Sequence, residues 1–244
     1  MTNFKLRFQR FEFKYPISFG QFKQIRSFLQ RYLTLDDFAK NTKEGFYEVV
    51  SLYYDSPKFY YYREKIDGVK RRKKIRLRAY RRDGQFIDPA FFEIKRKHDA
   101  VVLKDRFLLA DEDYKRLMSD ECFSSDDKGD TGRNKIIEEF HLERALHQLE
   151  PKVLVVYNRE PYFDKVNNNF KVTFDYFIKA RRQYDLFYNG DDYIDVLKNG
   201  VIMEVKFNNT MPFYMQQIIK EYNLSRIAYS KYCKGLSSCY PLLD

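Results

Sequence analysis

The 244-residue sequence has no tryptophan, three cysteines and three histidines, and each scarcity removes a class of chemistry. Cys122, Cys233 and Cys239 are odd in number and form no C-x-x-C pair. Neither a disulfide framework nor a zinc site is indicated, and a reducing cytoplasm is the expected compartment. His98, His141 and His147 lack a paired Ser or Cys motif, which argues against histidine-based nucleophilic catalysis. They read as structural or solvent-facing residues, with His98 beside the end of a basic strand. The chain contains no G-x-x-x-x-G-K-[ST] loop and no G-x-G-x-x-G turn, so P-loop and Rossmann nucleotide binding are disfavoured. No apolar run approaches the ~18 residues of a membrane span. The first ten residues alternate basic with apolar and lack the apolar centre of a signal peptide. A soluble protein is expected, with any membrane link, such as export of a product, made through a partner protein.

What is abundant is positive charge and aromatic surface. Lys and Arg number 45 against 35 Asp and Glu, a formal charge of +10, so the expected partner is a polyanion. Hydrophobic residues make up 44%, and the 18% aromatic share is carried by Tyr and Phe, enough for one sizeable core. We expect a single domain over 1–244.

Periodicity divides the chain into strands and helices. Arg7 to Tyr15 alternates as a strand, Pro16 is expected to stop it, and Ser18 is placed to cap a helix bearing Phe22, Ile25, Phe28, Leu29 and Leu33. Further strands are predicted at Tyr47–Tyr54, Lys73–Arg82, Ala90–Lys97, Val101–Leu109, Lys152–Arg159, Phe170–Ile178 and Val201–Phe207. Between them lie a short Tyr-rich helix or turn ending near Asp67-Gly68, a helix at Asp111–Met118 and another from about Lys135 to His147, and Pro212–Lys234 closes the chain as a helical stretch. Asp83-Gly84 opens a hairpin with a longer loop, and residues 119–134, rich in Ser, Asp and Gly, read as a mobile loop. About eight strands without a βαβ rhythm imply an α+β fold, an eight-stranded antiparallel β-barrel decorated by helices.

Residues two apart in a strand share a face. Glu12 and Lys14 therefore oppose Phe11, Phe13 and Tyr15, and Lys74, Arg76 and Arg78 oppose Ile75, Leu77 and Ala79. Glu93, Lys95 and Lys97 oppose Phe92 and Ile94. The pattern recurs with Lys104 and Arg106, with Tyr157 and Arg159, with Lys171, Thr173 and Asp175, and with Glu204 and Lys206. The plain alternative is a sandwich with solvated outer faces. Against it, these faces favour Arg and Lys with single carboxylates, and the opposite faces are bulky enough to need helices over them. If helices cover the apolar side, the cations face a water-filled interior that needs an anionic ligand. The repeated Glu12-x-Lys14, Glu93-x-Lys95 and Glu204-x-Lys206 device either neutralises each lysine or holds Mn²⁺ or Mg²⁺ while the lysine binds phosphate. Arg76 and Arg78 suit a bidentate grip on phosphate.

The chain carries, in order, Arg10-Phe11-Glu12-Phe13-Lys14-Tyr15, Ser51-Leu52-Tyr53-Tyr54-Asp55, Tyr62-Arg63-Glu64-Lys65, Ile75-Arg76-Leu77-Arg78, Phe92-Glu93-Ile94-Lys95-Arg96-Lys97, Tyr157-Asn158-Arg159 and Met203-Glu204-Val205-Lys206. Taken together, these segments resemble the VTC domain of polyphosphate polymerases within the triphosphate tunnel metalloenzymes. The resemblance runs from about Arg10 to Lys231. It implies an eight-stranded tunnel that binds ATP or another triphosphate with a divalent metal and transfers the terminal phosphate to a polyphosphate chain. Lys14, Arg76, Arg78, Lys95, Lys104, Tyr157, Arg159 and Lys231 would contact phosphate, joined by Ser230 and Arg63, and Glu204 would hold the metal. Lys171 stands where fungal members carry arginine, which keeps the charge and loses the fork. The chain looks like a stand-alone bacterial member. Arg106 and Lys206 join the phosphate-facing set by alternation, and Glu12 and Glu93 join the metal set as carboxylates of the same device.

Three other functions fit the residues. A triphosphatase would use Glu12 or Glu93 to orient water; a non-catalytic protein would bind polyphosphate or inositol phosphates; a nucleic-acid-binding barrel would use Tyr60, Tyr61 and Tyr62, although no nucleic-acid motif is present.

Overall fold

The computed structural model describes residues 10–99, 101–119, 121, 123, 131–165 and 169–243. Its elements, in chain order, are β1 (Arg10–Ile17), α1 (Phe19–Leu29), β2 (Leu33–Leu35), α2 (Asp37–Lys40), β3 (Tyr47–Asp55), α3 (Tyr60–Ile66), β4 (Arg71–Arg82), β5 (Gln85–His98) and β6 (Val101–Leu108). They continue with α4 (Asp111–Met118), α5 (Thr131–His147), β7 (Glu150–Asp164), β8 (Phe170–Arg181), β9 (Ile194–Asp195), β10 (Val201–Asn208), α6 (Phe213–Glu221), α7 (Lys231–Cys239) and a 3₁₀ turn at Pro241–Leu243. This is an α+β fold with a large antiparallel sheet, as the alternation led us to expect. The strand order is β1-β10-β8-β7-β3-β4-β5-β6, with β2 on β7 and β9 on β8. Closure would require a second ladder partner on both β1 and β6. Among the described residues that path is open, so the expected closed barrel is not completed by hydrogen bonds.

The chain packs as two compact units. The first is built from the chain up to Glu48 with Tyr157–Ile178 and Leu197–Tyr229, the second from Val49–Val156, Lys179–Val196 and Ser230–Asp244. In the first, the apolar faces of β1, β8 and β10 (Tyr15, Val172, Phe174, Met203, Val205) pack against Phe22, Ile25 and Leu29 of α1 and Met215 and Ile218 of α6. In the second, Ile75, Leu77, Phe92, Ile94 and Phe107 pack against Ile136, Ile137 and Phe140 of α5, Leu117 of α4 and Tyr61 of α3. Helices therefore cover the apolar side within each unit, and burial of this kind is the main favourable term in folding.

Local chemistry explains the boundaries. Ser18 caps α1 with its hydroxyl accepting from Gln21 N, while the Gln21 side chain accepts from Ser18 N, a complete capping box. Pro16 does not stop β1: it pairs with Ile202 near the end of the ladder, which runs on to Ile17. Asp83 and Gly84 both have positive φ, 50° and 82°, and Arg82 pairs directly with Gln85. The expected longer hairpin loop is therefore a two-residue turn, the geometry that matches strand twist. Leu33 belongs to β2 and not to α1, and α5 starts at Thr131 rather than Lys135. The rest of the predicted loop, residues 120, 122 and 124–130, lies outside the described residues. The C-terminal helical stretch divides into α6 and α7, with Asn223 at φ 47° just past the first of them.

Candidate functional site

In the second unit, register places the cations in rungs. Lys74 of β4 lies opposite Lys95 of β5, which lies opposite Lys104 of β6; one rung on, Arg76 faces Glu93 and Glu93 faces Arg106. Three lysines thus lie directly across the sheet, like charge opposite like charge, with Lys104 also paired to the carboxylate of Glu93. Glu93 is 1% exposed. Its Oε2 accepts from Arg76 Nε at 2.7 Å and faces Arg76 Nη2 at 2.5 Å, while Lys104 Nζ reaches its Oε1 at 2.5 Å. Burial would push the Glu93 carboxyl up, but Arg76, Arg78 and Lys104 outweigh it and hold the group far below the usual carboxylate range.

Further partners of this face come from β3 and α7. Arg78, itself buried, donates through Nε to Ser51 Oγ at 3.3 Å, and Arg76 Nη1 donates to Tyr53 Oη at 3.0 Å. Lys74 Nζ donates to Ser230 Oγ at 2.8 Å; the same hydroxyl accepts from Cys233 N and caps α7, which carries the buried Lys231. Asp55 accepts from the backbone of Ser56, Tyr61 and Tyr62 and from the Tyr232 hydroxyl, tying β3 to α3 and α7.

In the first unit, Glu12, Lys206 and Lys171 form one rung across β1, β10 and β8, and Lys14, Glu204 and Thr173 form the next. Lys14 Nζ lies 3.3 Å from Glu12 and 3.6 Å from Glu204, and donates to Tyr229 O at 3.0 Å. Burial would lower this ammonium, but Glu204 and Glu12 outweigh it and raise it above its ordinary value. Lys206 pairs with Glu204 at 2.5 Å and with Glu12 at 3.9 Å. Arg159 grips the fully buried Asp175 through Nε and Nη2 at 2.7 and 2.8 Å, with its guanidinium over the Tyr157 ring. Lys171 Nζ sits 4.0 Å from the Phe163 ring centroid.

The sequence-predicted residues thus collect into two groups. The first unit holds Glu12, Lys14, Tyr157, Arg159, Lys171, Glu204 and Lys206. The second holds Arg76, Arg78, Glu93, Lys95, Lys104, Arg106, Ser230 and Lys231. Arg106 is exposed and its guanidinium lies 4.4 Å from the centroid of the Phe91 ring. Arg63 stands apart, exposed on the last turn of α3. What sequence reasoning missed is the polar face of β3, Ser51, Tyr53 and Asp55. The run Val49-Val50-Ser51-Leu52-Tyr53-Tyr54-Asp55 reads as nearly apolar, and two adjacent tyrosines hide which of them turns to the cations.

No group of three or more His, Cys, Asp or Glu side chains is gathered for a metal among the described residues. The donors available in the first unit are oxygens: Glu12, Glu204 and the Thr173 hydroxyl opposite Glu204, which is buried without a hydrogen-bond partner among the described residues. Two carboxylates and a hydroxyl fit a hard divalent cation that takes its other oxygens from phosphate. Glu12 and Glu204 share Lys14 and Lys206 between them, whereas Glu93 is enclosed by Arg76 and Lys104 and has no second carboxylate or hydroxyl opposite it in the ladders.

The chain resembles the PH1819 protein of Pyrococcus horikoshii OT3 with a TM-score of 0.47 at 13% identity, covering 92% of this chain and 96% of that one. It resembles a "putative adenylate cyclase" from Bacillus halodurans with a TM-score of 0.51 at 15% identity, covering 91% and 95%, a likeness of fold. No curated protein sequence matches. The VTC domain model matches residues 9–240, nearly the whole length, and the chain belongs to the VTC domain family.

Proposed function

We propose that this VTC domain is a polyphosphate polymerase, transferring the terminal phosphate of ATP onto a growing polyphosphate chain with Mn²⁺ or Mg²⁺. The observation that carries the reading is the Lys74–Lys95–Lys104 rung beside Arg76 and Arg78, a cationic strip suited to consecutive phosphates. Family membership supports a phosphotransferase that works on polyphosphate.

Phosphoryl transfer asks for alignment and charge stabilisation and needs no protein nucleophile. In the second unit, Arg76 and Arg78 supply the planar fork, and Lys74, Lys95 and Lys104 supply point charges along it. Glu93 keeps Arg76 and Lys104 in position. Ser230 and Lys231, at the N-terminus of α7, add a hydroxyl and an ammonium. In the first unit, Lys14, Lys171, Lys206 and Arg159 bind phosphate oxygens, with Arg159 oriented by Asp175 and Tyr157. Glu204, with Glu12, would hold the metal, which supplies charge neutralisation on the triphosphate.

The test is incubation with ATP and Mn²⁺ followed by gel analysis. Long polyphosphate is expected; orthophosphate alone would overturn polymer synthesis and leave a triphosphatase. Glu204→Gln should abolish turnover by at least about a hundredfold while inorganic tripolyphosphate still binds. Turnover unchanged in this variant would remove Glu204 from the reaction.

A further inference from the structure

Tyr53 is a buried phenol on the cationic face of the second unit, and the Lys and Arg pattern gave it no role. Its side chain is 5% exposed and its ring packs on Tyr232, centroids 5.0 Å apart at 36°. Its oxygen accepts from Arg76 Nη1 at 3.0 Å, and the Arg76 guanidinium carbon lies 5.7 Å from its ring centroid. That hydrogen bond uses the phenol as an acceptor. Among the described residues the O–H proton has no acceptor, and the charges that act most on Tyr53 are those of Arg76, which it touches, and of Arg78 and Lys74 on the same strand, all donors. From α7 it meets Tyr232, whose own hydroxyl is committed to Asp55.

We propose that Tyr53 is a further phosphate-binding residue of this face, accepting from Arg76 and donating its phenolic proton to an anionic oxygen of the bound polyphosphate or triphosphate. An anion is the ligand that fits, because it gives the O–H an acceptor while answering the three cations around it. Tyr53 also positions Arg76. Glu93 holds Nε and Nη2 on one side of the guanidinium and Tyr53 holds Nη1 on the other, so its plane is fixed at two points. The inference rests on the phosphate-binding reading given above.

Charge gives the proposal a distinct signature. Burial alone would push the phenol up; Arg76, Arg78 and Lys74 outweigh it and pull it down to about 8. Tyrosinate cannot donate and places a negative charge beside Arg76, so ionisation of Tyr53 and anion capture oppose each other. By linkage, a bound anion must push the phenol back up.

The experiment uses the whole chain and inorganic tripolyphosphate, with a near-ultraviolet tyrosinate titration and calorimetric binding at about pH 7 and about pH 9. Wild type should show one tyrosine ionising well before the rest, and saturating tripolyphosphate should shift that step upward. Tyr53→Phe should lack the step. It should also weaken tripolyphosphate binding by about tenfold at the lower pH, the loss of one charge-assisted hydrogen bond, and show a shallower decline toward the higher pH. The polymerase KM for ATP should rise more than kcat falls. If the early step is missing from wild type, or tripolyphosphate leaves it in place, the proposal fails. It fails alone if Tyr53→Phe binds with unchanged affinity and pH profile while wild type binds tightly. If wild type does not bind tripolyphosphate at all, the functional reading falls with it.

Discussion

Glu93 has the position of a metal ligand in the sequence pattern and the surroundings of a counter-ion in the structure. It is enclosed by Arg76 and Lys104 and almost wholly buried. Removing one partner from a buried ion pair costs about 3–5 kcal/mol, because the remaining charge keeps its desolvation penalty. Glu93→Gln should lower stability by that order in urea unfolding, and inorganic tripolyphosphate should restore more of it than it adds to wild type. The pH dependence has a definite sign. A carboxylate held below its unfolded value, about 4.3 for Glu, contributes stability that is present above that value and lost as pH falls toward the folded one. Wild type should therefore lose stability on acidification below about pH 4 more steeply than Glu93→Gln. An equal acid limb in both proteins would show that Glu93 is not held low.

At the scale of elements, most strands could be read because period-2 alternation is a local property. The ladder runs match Lys74-x-Arg76-x-Arg78, Glu93-x-Lys95 and Glu204-x-Lys206. Ser18 and Gln21 likewise mark the start of α1. Three short elements, β2, α2 and β9, were not legible, being two to four residues long and defined by partners rather than by their own pattern. The seat of α7 was also hidden. A Cβ on Gly235 would lie 2.9 Å from Val155 Cγ2 and 3.2 Å from Ala180 Cβ, so α7 lies close on β7 and β8 because that residue has no side chain. The helix carries Ser230, bonded to Lys74, and Tyr232, bonded to Asp55. Gly235→Val should overpack this contact and cost about 1–3 kcal/mol, offset only slightly by the better helix propensity of a non-glycine residue. Tripolyphosphate affinity should fall with it, since the displaced helix takes Ser230 and Lys231 along. Loss of stability with unchanged affinity would separate α7 from the binding face.

For the whole molecule, the charge of +10 is legible in composition, but composition cannot say which cations are committed. Arg96 is bound to Glu139 and Asp105, Arg133 to Asp113, Arg26 to Glu160, and none of these belongs to the two polar faces. The choice of partners is a long-range property: β1 and β10 pair across nearly the whole chain, and Glu93 meets Lys104 diagonally across a ladder. In the Lys74–Lys95–Lys104 rung like charge is set against like charge, and under the proposed function a polyphosphate is what it binds. Binding there should depend strongly on salt. The Debye length shrinks from about 10 Å at 0.1 M to about 3 Å at 1 M. A plot of log affinity for tripolyphosphate against log salt should therefore fall linearly, with a slope that counts the cations engaged. Lys95→Ala should lower that slope by about one, whereas replacing Lys198, an exposed lysine outside both polar faces, should leave it unchanged. An unaltered slope for Lys95→Ala would mean that the rung is neutralised from within the protein, and the strip would then be structural.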